Sequence, residues 1–121
     1  MEQPTHHHTG HQHEALIQTL LECARACENC AAACLDEKDV TPMAHCIELD
    51  RDCAEICFLA ARLLMRSSQI SHKFLVICEE ACRECAEECS MHQHDHCQRC
   101  AEACRRCEEA CHHHHGAQHM E

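Results

Sequence analysis

The chain has 121 residues, enough for one domain, and it contains 16 cysteines and 15 histidines but only two phenylalanines and no tryptophan or tyrosine. The formal net charge of −11 at pH 7 argues against nucleic acid as a partner, because a phosphate backbone requires a basic surface. Cysteine at this density is typical of disulfide-linked secreted domains or of metal–thiolate proteins in a reducing compartment.

The N-terminal residues indicate which of these two classes applies. They contain no basic segment followed by an apolar stretch and no twin arginine, so the sequence predicts no export signal. No apolar run approaches the roughly 20 residues that cross a membrane, so no membrane partner is expected. We therefore predict a cytoplasmic protein whose thiols stay reduced and bind metal.

Helix-breaking residues are rare in this chain, which predicts an all-α fold. Between Gly10 and Gly116, Pro42 is the sole proline or glycine. Apolar residues and cysteines recur at intervals of three and four, which is the period of a helix. Residues 1–12 are rich in histidine and are predicted to be flexible. Four helices are predicted, over residues 13–36, 42–66, 69–92 and 95–114.

The first predicted helix carries four cysteines spaced by four, three and four residues. They are Cys23, Cys27, Cys30 and Cys34. Side chains three or four residues apart share a helix face, with Cβ atoms about 5–6 Å apart, so these thiols form one row along the helix. The charged segment of residues 35–39 ends this helix.

The second predicted helix carries a shorter row, made of Cys46, Cys53 and Cys57. Asp50 occupies the gap in this row, and Met43 lies one step before it. If Asp50 faces the interior, it needs a polar partner there. An alternative helix register places Leu49 inward and Asp50 outward, and the sequence leaves both orientations open. Met43 could offer a thioether sulfur to a metal, although methionine more often fills gaps in a core.

The third and fourth predicted helices continue the pattern. The third row is Cys78, Cys82, Cys85 and Cys89, and the fourth is Cys97, Cys100, Cys104, Cys107 and Cys111. His92 lies one step beyond the third row and is predicted to be a metal ligand. His94 and His96 lie in or beside the connecting turn. A role as solvent-exposed side chains is expected there almost as much as a role as metal ligands.

Short connections between these helices predict an antiparallel, up-down-up-down four-helix bundle with a cysteine-lined interior. Antiparallel packing brings the four thiol rows to one end, the thiol end, which carries the connections between helices 1 and 2 and between helices 3 and 4. At the opposite, apolar end a core is predicted from Leu16, Ile17, Leu20, Leu21, Phe58, Leu59, Leu63, Leu64, Ile70, Phe74, Leu75, Val76 and Ile77.

An interior lined with thiols restricts the choice of metal. Soft thiolates select Cu(I), Zn(II) or iron–sulfur clusters. Structural zinc sites place CxxC pairs on turns, and ferredoxin clusters need a compact cysteine run, and neither arrangement matches these helical rows. Cu(I) accepts two or three ligands, which a pair of cysteines four residues apart and a neighbouring row can supply. The sequence therefore favours storage of multiple Cu(I) ions in each protomer.

Two other functions remain open from the residues alone. A zinc or mixed-metal thiolate buffer, similar to metallothionein, would use the same ligands, and a thiol redox buffer would cycle cysteines three residues apart between thiol and disulfide. The sequence contains no HExxH, Ser/His/Asp order or phosphate-binding glycine loop, so no enzymatic activity is predicted. The terminal histidine runs, His6–His8 and His112–His115, are expected to have a minor binding role at most.

The repeated helical CxxxC and CxxC spacing, together with the missing export signal, resembles the bacterial copper storage proteins and, within them, the cytosolic branch. The resemblance covers roughly residues 13–115, which are expected to form the bundle, with residues 116–121 as a tail. It implies reduced thiols, many Cu(I) ions per protomer and a homotetramer. It also implies that polar residues near the open end assist copper uptake, and here the candidates are Asp50, His92, His94 and His96. The terminal histidine runs depart from the family pattern.

Overall fold

The computed structural model describes the backbone of residues 4–120 and the side chains of residues 13–114. Over that range it contains no β-strand and is built from helices. They are α1 (Pro4–Leu35), a short 3₁₀ helix (Thr41–Met43), α2 (Ala44–Met65), α3 (Ser71–Ser90) and α4 (Asp95–Met120). α1 and α3 each pack against both α2 and α4. The predicted all-α four-helix bundle is confirmed.

α1 begins earlier than the sequence pattern predicted, at Pro4 instead of residue 13. Proline is tolerated in the first turn of a helix because the N–H groups of that turn have no carbonyl acceptor within the helix, so the N–H that proline lacks is not needed. Gly10 lowers the helix propensity of this segment without ending the helix. The predicted flexible segment of residues 1–12 and the tail of residues 116–121 lie outside the described side chains. That division of the chain stays a prediction.

The connection between α2 and α3 is a tight turn at the apolar end. Ser67 adopts a left-handed conformation with φ of 53°. Its N–H donates to the carbonyl of Leu64 over 3.0 Å, and the N–H of Ser68 donates to the carbonyl of Leu63 over 2.9 Å. These two bonds satisfy carbonyls that the end of a helix would otherwise leave without partners. Ser67 and Ser68 therefore follow the end of α2 at Met65, one residue before the predicted end at residue 66.

The connection between α3 and α4 lies at the thiol end and is held by a side chain of α4. The Gln98 Nε2 donates to the carbonyl oxygen of His92 over 2.7 Å and to that of Ser90 over 3.3 Å. These bonds join the first turn of α4 to the end of α3. As a result, the histidines of this connection lie at the thiol end of the bundle.

The apolar end is narrower than predicted. Leu16, Leu20, Leu63, Leu64 and Leu75 are buried, but Ile70, Val76 and Ile77 are each more than 40% exposed. The helical period explains the difference, because only Leu75 continues the row of Cys78 toward the interior, while the two residues after it turn outward. Over its described residues, no helix combines the length and apolar character needed to span a bilayer.

Candidate metal centre

The interior of the bundle is a continuous column of cysteine side chains. All 16 cysteines are free thiols, and each is at most 1% exposed. Sulfur atoms of different helices approach to between 3.4 and 4.0 Å, the closest pair being Cys57 and Cys78. The four predicted rows therefore meet along the axis of the bundle and form one donor set.

The column begins at the thiol end with a mixed group of three cysteines and one histidine. The Sγ atoms of Cys30 and Cys34 are 4.0 Å apart, and each lies 3.9 Å from the Sγ of Cys97. The Nδ1 of His96 lies 3.7 Å from the Cys30 Sγ, 3.9 Å from the Cys34 Sγ and 3.6 Å from the Cys97 Sγ. One nitrogen and three sulfurs thus face a common centre.

A glutamate on the turn after α1 orients this histidine. The Nε2 of His96 is 2.9 Å from the Glu37 carboxylate, so Nε2 donates its proton there and Nδ1 keeps its lone pair toward the thiols. The hydrogen bond from His96 lowers the pKa of Glu37. The Nδ1 of His94 lies 3.5 Å from the same carboxylate, and the His94 ring stacks on the His96 ring with 5.2 Å between the ring centroids. The sequence had not singled out Glu37.

His92 and Met43 occupy different surroundings. The Nε2 of His92 is 2.8 Å from the Glu88 carboxylate, and both side chains are largely buried. His92, which was predicted to extend the third row, therefore pairs with Glu88 at the edge of the thiol end. Met43 is 3% exposed and packs in the same core as the cysteines.

Asp50 faces inward and lies among four thiols from three helices. Its Oδ1 accepts hydrogen bonds from the thiols of Cys85, Cys89 and Cys100 over 3.2, 3.4 and 3.3 Å, and its Oδ2 lies 3.9 Å from the Cys46 Sγ. Burial, with a smaller contribution from Cys100, raises the pKa of Asp50 to about 8. Of the two registers left open by the sequence, the one with Asp50 inward is therefore correct.

Deeper in the bundle, the donors form groups of four thiols. In each group the four sulfurs lie within 4.8 Å of one another. Four of the groups are Cys27, Cys85, Cys100 and Cys104; Cys23, Cys27, Cys53 and Cys104; Cys23, Cys53, Cys57 and Cys82; and Cys57, Cys78, Cys82 and Cys107. Each group draws on three helices. Cys111 is buried next to this series, toward the apolar end.

These groups change the ligand arrangement expected from the sequence. The pattern suggested that each ion would be bridged by two cysteines four residues apart on one helix. Some such pairs are close, for example Cys53 and Cys57 at 3.9 Å, but the shortest contacts join different helices, such as Cys46 to Cys89 at 3.5 Å. Helix packing brings facing rows nearer than the spacing of thiols along one helix.

Burial favours the protonated form of two thiols near the thiol end of the column. Burial raises the pKa of Cys34 to about 11, and burial also raises the pKa of Cys97. A thiolate is the form that binds soft metal ions, so a metal must displace one proton from each cysteine that it binds. The arrangement is chemically suited to a soft monovalent ion with a low coordination number.

Comparison with known proteins identifies the family. Residues 9–116 match the family model described as Csp, copper storage protein. The Cu(I)-bound copper storage protein BsCsp3 is 40% identical, with a TM-score of 0.79 and coverage of 82% of this chain and 93% of that one. A cytosolic copper storage protein from Streptomyces lividans, solved with five coppers, is 41% identical, with a TM-score of 0.78 and coverage of 81% and 87%.

A curated relative agrees with these structures. The cysteine-rich protein YhjQ of Bacillus subtilis (strain 168) is 41% identical over 85 residues, which is 70% of this chain and 79% of that protein. Residues 9–116, which the family model matches, contain the helical segments that carry the thiol column. The chain belongs to the copper storage protein family.

Proposed function

We infer that this protein stores Cu(I), with many ions held on the cysteine thiolates inside the bundle. The observation that carries this inference is the column of 16 buried thiols, whose groups of four lie within 4.8 Å. The family match supports the same function. Of the similar structures, one is described as Cu(I)-bound and another holds five coppers.

The way in which the groups share sulfurs favours storage over isolated metal sites. Cys27 and Cys104 belong to two groups, as do Cys57 and Cys82. A thiolate has more than one lone pair and can bridge two Cu(I) ions, so shared sulfurs allow neighbouring ions to form one continuous cluster. A structural zinc site instead typically uses its own closed tetrahedral set of four ligands.

All 16 cysteines are proposed ligands, and the polar residues of the thiol end are proposed to guide uptake. Within that set, His96 is the best-placed nitrogen donor, because its Nδ1 already faces three thiols. Asp50 is placed to accept hydrogen bonds from the thiols around it. We propose auxiliary roles for His92, His94 and Met43, which lie at the same end.

We further propose that the protein works in the cytoplasm and assembles as a homotetramer. The description of the Streptomyces lividans protein as cytosolic supports the first of these proposals. An exposed apolar face supports the second. Val76 and Ile77 are 47% and 46% exposed, and Ile77 borders a groove between α2 and α3 that is also lined by Leu49 and Ile56 and by the acidic Asp52, Glu80 and Glu84. The exposed apolar side chains of this face can be buried by association with another protomer.

An anaerobic metal competition tests the proposed function. Protein preloaded with Zn(II) is titrated with Cu(I) in the presence of a chromophoric chelator. We expect Cu(I) to displace all of the zinc bound to cysteine, because soft thiolates in low-coordinate clusters favour the monovalent ion. Retention of zinc on the thiolates against excess Cu(I) would establish the zinc buffer instead.

A thiol count distinguishes storage from redox buffering in the same preparation. After mild oxidation, a storage protein should keep its 16 titratable thiols. Pairwise loss of thiols, reversed by a reductant, would favour the redox buffer.

Replacement of His92, His94 and His96 by alanine is expected to slow both copper loading and copper removal, with the final copper content nearly unchanged. An ion passed from imidazole to successively deeper thiolates is never without ligands, so donors at the thiol end act mainly on the rate. Stopped-flow absorbance during loading and chelator-driven removal measure the two rates. The matched control is His72→Ala, which replaces an exposed histidine at the apolar end.

The opposite pattern would place the entrance at the apolar end. It consists of normal loading rates in the triple variant, together with slow uptake after deletion of His6–His8 and His112–His115. Circular dichroism of each variant establishes that the bundle remains folded before the rates are compared.

A further inference from the structure

The two inward rows of α1 and α4 continue beyond the last leucines and cysteines to a pair of histidines. On α1 the row that holds Cys23 runs back through Leu20 and Leu16 to His13, with steps of three, four and three residues. On α4 the row that ends at Cys111 reaches His114 after three more residues. Both histidines are half-buried, whereas His112 and His113 beside them are exposed.

The pairing of α1 with α4 places these histidines opposite each other. The antiparallel alignment brings together Cys30 with Cys97, Cys27 with Cys100 and Cys23 with Cys104, all at 3.8–3.9 Å. Followed to the apolar end, the same alignment sets His13 against His114. Their ring centroids are 5.3 Å apart, with an angle of 63° between the ring planes. The donors facing each other along these two helices thus change from sulfur to nitrogen.

One nitrogen of this pair is buried and has no hydrogen-bond partner among the described side chains and backbone. It is the Nδ1 of His13. A buried ring nitrogen without a partner is unfavourable, because it has lost water and gained nothing in return. A metal ion can supply the partner that this ring nitrogen lacks.

We propose that His13 and His114 form a second metal site, separate from the thiol column, for a divalent ion of the Zn(II) class. Imidazole is a ligand for borderline divalent ions, whereas the soft thiolates take Cu(I). Zn–N bonds of about 2.0–2.1 Å require two nitrogens within a few ångströms, which rings at this separation can reach by rotation of the side chains. Leu16 and Leu20 separate the site from the thiols of α1.

Zinc binding to copper-loaded protein tests this site, because prior saturation with Cu(I) occupies the thiols. Full-length protein labelled with ¹⁵N is loaded anaerobically with Cu(I) and then titrated with Zn(II) against a chromophoric chelator, with the histidine ring signals followed by long-range ¹H–¹⁵N NMR. We expect the tightest zinc equivalent to shift the ring nitrogens of His13 and His114. Unchanged signals from these two rings, with shifts elsewhere, would overturn the proposal.

Paired variants provide an independent result. In His13→Gln/His114→Gln we expect the affinity of that zinc equivalent to fall by about tenfold or more, since even ligand-supporting residues contribute that much to metal affinity. His72→Gln/His113→Gln, which changes two exposed histidines, should retain it. Wild-type zinc affinity in the first variant would refute the site. The Cu(I) content of both variants should equal that of the wild type. A failure of the wild-type protein to load copper would count against the proposed function, whereas normal loading with unchanged zinc affinity would count against the histidine site. If the first variant fails to fold, the NMR titration of the wild-type protein decides the question alone.

Discussion

Anaerobic titration with Cu(I) is expected to saturate each protomer at about one ion per cysteine, or somewhat more, because bridging thiolates let one sulfur serve two ions. The shared membership of Cys27, Cys57, Cys82 and Cys104 in overlapping groups is the structural basis for this value. Metal analysis after removal of weakly bound copper measures the content. Saturation at only four ions would contradict the cluster and would favour tetrahedral thiolate sites.

A pair of substitutions in the column sharpens this prediction. Cys57 and Cys78 have the closest sulfur atoms, 3.4 Å apart, and changing both to alanine should remove about two ions from the total if capacity follows thiol number. Leu20→Ala is the matched control, because Leu20 is fully buried and contributes no donor. That control should lower the stability of the metal-free protein by about 2–5 kcal/mol while leaving the copper content unchanged. Equal copper loss in both variants would show that content reports folding, not ligand number.

Copper loading is expected to raise the melting temperature by roughly tens of degrees. Each site that binds only the folded chain adds about 4 kcal/mol of stability when free copper is a thousand times its dissociation constant, and many sites act together here. Thermal circular dichroism at increasing copper content measures the effect. The Cys57→Ala/Cys78→Ala variant, with fewer ligands, should gain less from loading.

The metal-free protein should nevertheless be helical before copper is added. The buried leucines of the apolar end, including Leu20 and Leu75, need no ion, and protonated cysteines pack as small apolar side chains. The chain also has high helix propensity and few helix breakers. A random-coil spectrum for the metal-free form would instead make this a domain that folds only when metal binds.

The fold and the inward position of the cysteines could be predicted because they depend on a local regularity. Between Gly10 and Gly116 the sequence has only one helix breaker, Pro42, and its apolar residues and cysteines recur at intervals of three and four, which favours helices over strands. Every cysteine lies on an inward-facing row of one of these helices. The inward position of Asp50 could not be settled in this way, because Asp50 and Leu49 are both compatible with the period. Contacts with α3 and α4 decide between them, since the thiols of Cys85 and Cys100 supply the partners that the carboxyl needs.

Glu37 and the apolar end show a second limit of the pattern. Glu37 lies in a turn that carries other acidic residues, and only the packing of α1 against α4 shows that it, and not a neighbour, reaches His96. Val76 and Ile77 were assigned to the core because they are apolar. Three consecutive apolar residues on a helix cannot all face inward, so two of them form part of the surface.

Copper storage is an electroneutral exchange wherever a neutral thiol gives up its proton to the Cu(I) ion that binds it. Cu(I) carries the same charge as the proton that it displaces, so filling the column at one ion per thiol leaves the net charge of the interior unchanged. A divalent ion would add positive charge unless two thiols lost protons for it, and unbalanced charge in a dry interior is costly. Copper beyond one ion per thiol would bring such a charge, and the carboxyl of Asp50, once it loses its proton, is the group inside the column that can offset it.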